Sequence, residues 1–155
     1  MAARTRKLAA HGVSAELPDG WEGHITVRAS VGGDAPFPVT HLATFPLPTQ
    51  RGDFGGGAVE QMRAGDVFIT LFEYGPESAT RALFAKVGVP SFVAADFDPN
   101  QLQRALAGQA GAQRFFHVGE RAFCLYVVLG STARVAQLAR SAEEVVSTIQ
   151  IGART

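Results

Sequence analysis

The sequence predicts an α+β fold: a mostly antiparallel central sheet packed against a C-terminal amphipathic helix and one or more short helices. Three observations carry this reading. Apolar and polar residues alternate in several short runs, the period of half-buried strands. Turns rich in Gly, Asp and Pro separate those runs at hairpin spacing. Near the end the period changes to three and four residues over Val135, Leu138, Ala142, Val145 and Ile149, which marks a helix with one apolar stripe.

The elements follow in chain order. From Lys7 to Leu17 one parity runs through Ala9, His11, Val13 and Ala15, and its apolar end, Val13/Ala15/Leu17, predicts a short strand. Pro18-Asp19-Gly20 stops it, because Pro cannot donate to a ladder and Asp-Gly favours a turn. After Trp21, Ile25, Val27 and Ala29 face one way and His24, Thr26 and Arg28 the other. The Gly32-Gly33-Asp34 turn then leads to a partner strand over 39–47. Pro46 to Gly57 is a loop, followed by one helical turn over 58–63. Asp66 to Tyr74 has branched and aromatic residues on both parities, as in a central strand covered on both faces. Between Glu77 and Gln109 no period is sustained; Asp98-Pro99 is a start signal for a short helix containing Leu102 and Leu106, with an irregular strand as the alternative.

The strongest local signal comes next. Gln113–Val118 and Arg121–Leu129 flank Gly119-Glu120, a Gly-first pair suited to a two-residue II′ turn. That turn pairs 118 with 121, 116 with 123 and 115 with 124. One face then carries Phe116, Phe123, Leu125, Val127 and Leu129, and the other carries Gln113, Phe115, His117, Ala122, Cys124, Tyr126 and Val128. Ser131 offers a hydroxyl cap for the final helix. Ser141 with Glu144 forms a capping-box pattern that predicts a break near Arg140, and Thr148 to Ile151 reads as a closing strand. The helix stripe is expected to lie on the Phe123/Leu125/Val127/Leu129 face.

Size and charge exclude several functions. A chain of 155 residues is read as a single domain over 1–155. Acidic and basic residues balance at 14 each, so no field draws in nucleic acid or anionic lipid. No run of 18 apolar residues predicts a membrane span. The start is basic, but it lacks the apolar core of a signal peptide. With a single cysteine, Cys124, and no internal disulfide, the chain is expected in the cytoplasm. Twelve arginines against the lysines Lys7 and Lys86 fit a high-GC bacterial genome.

No set of residues spells a reaction. His117 and Cys124 fall on one predicted face as diagonal neighbours, with Gln113 and Tyr126 beside them. Thiol catalysis needs a thiolate, a base and a group to orient the base. A lone Cys among Phe115, Ala122 and Val128 reads instead as a small buried hydrophobe. His11, His24, His41 and His117 lie on separate predicted strands without ligand spacing, so no metal or cofactor is expected. Gly55-Gly56-Gly57 lacks the Lys-Ser/Thr of a phosphate loop and reads as a turn. Arg51-Gly52-Asp53 matches an integrin tripeptide by chance. Glu73 ends a strand and reads as either a rim charge or a pocket acid, with the solvated rim as the default; Trp21 reads as a core plug.

Two stretches carry a resemblance. Val13-Ser14-Ala15-Glu16-Leu17-Pro18-Asp19-Gly20-Trp21 resembles the opening strand of PsbP-like domains. Arg121-Ala122-Phe123-Cys124-Leu125-Tyr126-Val127-Val128-Leu129-Gly130-Ser131, with a helix and Val146 to Ile151 after it, is similar to their close. The chain also resembles a small actinobacterial protein group. The PsbP-like resemblance implies a central antiparallel sheet between helices, as in photosystem extrinsic subunits, Ran-binding adaptors and bacterial lipoproteins. Those relatives mostly bind or assemble other proteins. The expected lack of a signal peptide and lipid-bearing cysteine sets this chain apart from the lipoproteins.

The sequence therefore points away from an enzyme, to a non-catalytic protein-binding or adaptor domain with a protein partner or self-association. Its first candidate surfaces are the Phe115 side of the hairpin and the Pro46–Gly57 loop. The alternative is a small thiol enzyme or ligand-binding pocket on the His117/Cys124/Tyr126 face.

Overall fold

A computed structural model describes residues 4–27 and 37–153. The strands are β1 (Thr5–Ala10), β2 (Val13–Pro18), β3 (Glu22–Val27), β4 (Pro38–Ala43), β5 (Val67–Tyr74), β6 (Ala110–Val118), β7 (Arg121–Leu129) and β8 (Gln150–Ile151), with one helix, α1 (Val135–Val146), before the last. The fold is α+β and every ladder is antiparallel. The strands form two sheets where a single one was expected: β1-β2-β8, and the larger β3-β4-β5-β7-β6. Gly23 permits the crossing, since a Cβ there would sit 2.8 Å from both Leu8 and Leu42 side-chain carbons.

β1 was hidden inside a longer apparent alternation. Ala10 pairs with Val13, so His11-Gly12 is a two-residue turn with both residues left-handed, at φ 53° and 75°. Such turns usually announce themselves with Asn, Asp or Gly at the first central position. His11 gave no such signal. The proposed Gly32-Gly33-Asp34 turn lies outside the described residues, and the strand expected over 39–47 ends at Ala43.

The β6–β7 hairpin has the expected register, with Val118 opposite Arg121, Phe116 opposite Phe123 and Phe115 opposite Cys124. Gly119 takes φ 58°, as the first position of a II′ turn requires. Leu138, Ala139, Ala142, Val145 and Val146 of α1 share one core with Phe116, Phe123, Leu125, Val127 and Leu129. Val13, Ala15 and Leu17 of the small sheet close that core from the other side.

The helix does not break at Arg140. Buried Leu138, Ala139 and Ala142 straddle that position, and their packing outweighs the local capping pattern. The hydroxyl of Ser131 does cap, accepting from Ala133 N–H at 3.2 Å ahead of the helix.

Residues 77–109 form neither an extended strand nor an α-helix, but 3₁₀ turns and two isolated bridges to β6, Val87 with His117 and Asp98 with Gly111. Asp98 caps one of them, Pro99–Gln101, by accepting from Asn100 N–H at 2.7 Å. Leu102 and Leu106 lie beyond that turn, so the short helix expected there is absent. The helical turn expected over 58–63 is likewise 3₁₀, at Val59–Gln61. Where the resemblance implied helices on both sides of the sheet, the second face is covered by loops and these turns. Among the described residues no helix is long and apolar enough to cross a membrane.

Candidate functional site

The second face of the large sheet carries a polar row. Register alone aligns His24 with His41, His41 with Thr70, Thr70 with Tyr126 and Tyr126 with Gln113. Paired residues project to the same face, so one line of hydrogen-bonding groups crosses five strands. The Pro46–Gly57 loop folds over its middle. Phe54 stacks on Phe72 at 5.1 Å and meets Tyr126 edge-on at 6.1 Å, while the Asp53 carbonyl accepts from His41 Nε2 at 2.8 Å and from Thr70 Oγ1 at 2.7 Å. Gly55 lies against Phe68, where a Cβ would approach a ring carbon to 2.7 Å. Of the three glycines, Gly55 is thus the seat for an aromatic ring.

At the β7 end of this face the predicted thiol centre is closed. Cys124 has no solvent exposure, and burial pushes its thiol up to about 12. His117 sits diagonal to it as expected, but its Nδ1 bonds the Phe84 carbonyl at 2.6 Å. Gln113, expected to orient His117, accepts through Oε1 from Gln103 Nε2 at 2.7 Å. The Tyr126 hydroxyl accepts from Gln103 N–H at 2.7 Å, and burial raises its phenol above the ordinary range. The Phe115 side is no open surface either, because Tyr74 and Phe84 pack on that ring at 6.4 and 5.5 Å between centroids.

Glu73 corrects the sequence reading most sharply. It is 2% exposed rather than solvated, and Arg121 grips it with Nη2 on Oε1 at 2.7 Å and Nε on Oε2 at 3.0 Å. The same guanidinium donates to the His11 carbonyl at 3.0 Å and the Gly152 carbonyl at 2.9 Å. One side chain thereby ties β5 and β7 to the β1–β2 turn and to the residue after β8. A cleft of about 590 Å³ beside it is lined by Val118, Gly119, Glu120, Ile151 and Gly152. Its one arginine is occupied with this structural work.

The other end of the polar row opens into a second cleft of about 510 Å³, walled by Glu22, His24 and Thr26 of β3, His41 of β4, and Leu47, Thr49, Arg51 and Asp53 of the loop. Glu22 is doubly partnered: Oε1 meets His24 Nε2 at 2.9 Å and Oε2 accepts from Leu47 N–H at 3.1 Å. The bond with His24 is the main cause that holds this carboxyl below its ordinary value. His41 is 4% exposed, and burial takes its pKa down to about 4. Its Nδ1 accepts from Arg51 Nε at 2.7 Å, so the proton sits on Nε2, which donates to Asp53. Arg51 also donates through Nη1 to the Pro48 carbonyl at 2.8 Å. A neutral imidazole thus fixes a guanidinium at the cleft wall.

Of the four histidines, the fold brings only His24 and His41 opposite each other. His11 stays in the β1–β2 turn and His117 at the far end of β6. Among the described residues no group of three or more His, Cys, Asp or Glu is arranged to hold a metal ion. The cleft was missed in the sequence, though a signal existed. His24 and His41 lie equidistant from Gly32-Gly33, so folding the alternation about that pair would have matched them. Compared with known proteins, the chain matches no family model, no curated protein and no solved structure.

Proposed function

We propose that this chain is a non-catalytic binding domain that engages a protein partner through the cleft between β3, β4 and the Pro46–Gly57 loop. The observation that carries the reading is the placement of Arg51. A buried neutral histidine and a backbone carbonyl hold its guanidinium in one orientation beside Thr26, Thr49 and His24. Preorganised polar groups on a concave wall are what a recognition site needs. The cleft offers no activated nucleophile, since the thiol is sealed elsewhere in the sheet. The resemblance of Val13–Trp21 and Arg121–Ile151 to PsbP-like domains supports the same reading, because those relatives mostly bind or assemble other proteins.

The test is site-specific photocrosslinking in native lysate. A photoreactive residue at Thr49 should trap a discrete protein species, Arg51→Gln should abolish that trap, and the same label at exposed Arg140 on α1 should not give it. No specific product from Thr49, repeated from Thr26, overturns the proposal.

A further inference from the structure

We infer that the outer edge of β3 pairs with a second copy of this chain, the two β3 strands running antiparallel about a two-fold axis at Ile25. This is independent of the cleft partner proposed above. Hydrogen-bond parity defines what the edge offers. Thr44 N–H donates to the Val67 carbonyl at 3.1 Å, so Thr44 faces β5, as do Leu42 and Thr40 at every second residue before it. Ala43, His41 and Val39 then face β3, where they pair with Glu22, His24 and Thr26. The backbone groups of Gly23, Ile25 and Val27 therefore point away from β4, and among the described residues none of them has a hydrogen-bond partner. Trp21 has the same parity, and its carbonyl indeed accepts from outside the large sheet, from Arg6 Nη2 of β1 at 2.7 Å.

The other outer strands are guarded. β6 is bonded along its edge by Lys86, Gly88 and Asp98, β8 has only two residues, and β1 carries the cations Arg6 and Lys7, which discourage pairing. β3 has no Lys, Arg or Pro over Glu22–Val27, and its Val27 is 40% exposed.

The edge also fits itself. An axis at His24 would oppose groups already turned toward β4, and one at Gly23 would need the Trp21 carbonyl that Arg6 holds. An axis at Ile25 sets Ile25 against its own copy and Gly23 against Val27, so every outward N–H meets an outward carbonyl. Branched Ile25 then lies beside Ile25, and Val27 beside a residue without a side chain. On the polar face His24 lies opposite Thr26 of the second copy, and no like charges meet within β3. Because Glu22, His24 and Thr26 wall the cleft, the two clefts become neighbours on one face of a sheet of twice five strands. These pairs make fewer bonds than the roughly ten of a typical interface, so the dimer is reversible.

Sedimentation velocity and cysteine crosslinking decide. The mass of the native chain should double as its concentration rises. Ile25→Pro should abolish that rise, since it removes one outward N–H, a loss an edge strand tolerates; an unchanged urea midpoint checks the fold. Val27→Lys, which adds a charge to the edge, should weaken the dimer about tenfold and supplies a second reading should the proline variant not fold. Cys124 is buried and leaves the crosslinking background silent. A mixture of His24→Cys and Thr26→Cys chains should form a disulfide-linked dimer under mild oxidation, because opposed residues of a non-hydrogen-bonded pair have Cα atoms about 4.5 Å apart, within disulfide reach. Neither variant alone should crosslink, since each would have to bridge a diagonal. A chain that stays monomeric at every concentration overturns the inference, as does a dimer that survives both edge substitutions or oxidises equally in single and mixed samples. Slowed amide exchange at Ile25 that needs a different protein gives the edge to a foreign strand and also overturns it. Crosslinks from Thr49 in a strictly monomeric chain leave the cleft's binding role standing.

Discussion

Replacing Glu73 with glutamine tests how much of the fold hangs on one ion pair. Both partners are sealed, Glu73 at 2% and Arg121 at 5% exposure, and the contact is bidentate at 2.7 and 3.0 Å. Glutamine keeps the shape and one acceptor oxygen, but it places an amide N–H₂ against a guanidinium that has lost its counter-charge. Stranding one member of a buried pair costs about 3–5 kcal/mol. Arg121 keeps the His11 and Gly152 carbonyls, which places Glu73→Gln at the lower end, about 3 kcal/mol. Arg121→Met should cost more, because it also leaves those two carbonyls without their donor, at about 1–3 kcal/mol for each that stays dry. Against a total stability of about 5–15 kcal/mol, either loss is a large share. Urea denaturation at pH 7, followed by circular dichroism, reads both. The double variant Glu73→Leu/Arg121→Met should be less destabilised than the sum of its singles by well over 1 kcal/mol. A Glu73→Gln shift under 1 kcal/mol, or additivity within about 0.5 kcal/mol, would refute the view that this pair joins the sheets.

His41 predicts a pH dependence whose sign follows from its depressed pKa. Its ordinary value of 6.5 falls to about 4 in the fold, so between those values the unfolded chain binds more protons and stability drops as pH falls. The loss is about 3 kcal/mol across that window, and His41→Gln should flatten the urea midpoint against pH there; an unchanged slope would remove His41 as its cause. Cys124 should resist a thiol reagent in the folded chain at pH 7 and react fully in urea, with fast labelling of the native protein the contrary result. Leu125→Ala, at a side chain with no exposure in the main core, should cost roughly 2–5 kcal/mol through the cavity left behind; an unmoved midpoint would show that β7 is not central.

What the sequence revealed tracks how local the cause is. The β6–β7 register was legible because a two-residue turn fixes it, and α1 because one apolar stripe needs only its own period. The break expected within α1 failed because a local capping pattern competes poorly with three buried neighbours. Glu73 was misread because its partner lies 48 residues away, and alternation within β5 contains nothing about Arg121. The cleft was hidden for a similar reason. Its wall is shared by a hairpin and a loop, and the decisive contact, Arg51 with His41, depends on how the loop folds back.

The stretch from Lys86 to Gln101 has a protective consequence. It occupies the outer hydrogen-bonding groups of β6 at His117, through Lys86 and Gly88, at Gly111, through Asp98, and at the Gln113 N–H, through the Gln101 side chain. A β6 stripped of that strap would be a nine-residue template for recruiting strands from other molecules. Irregular backbone that looks like filler thus covers the edge of β6, and proteolysis within it should expose that edge and promote aggregation.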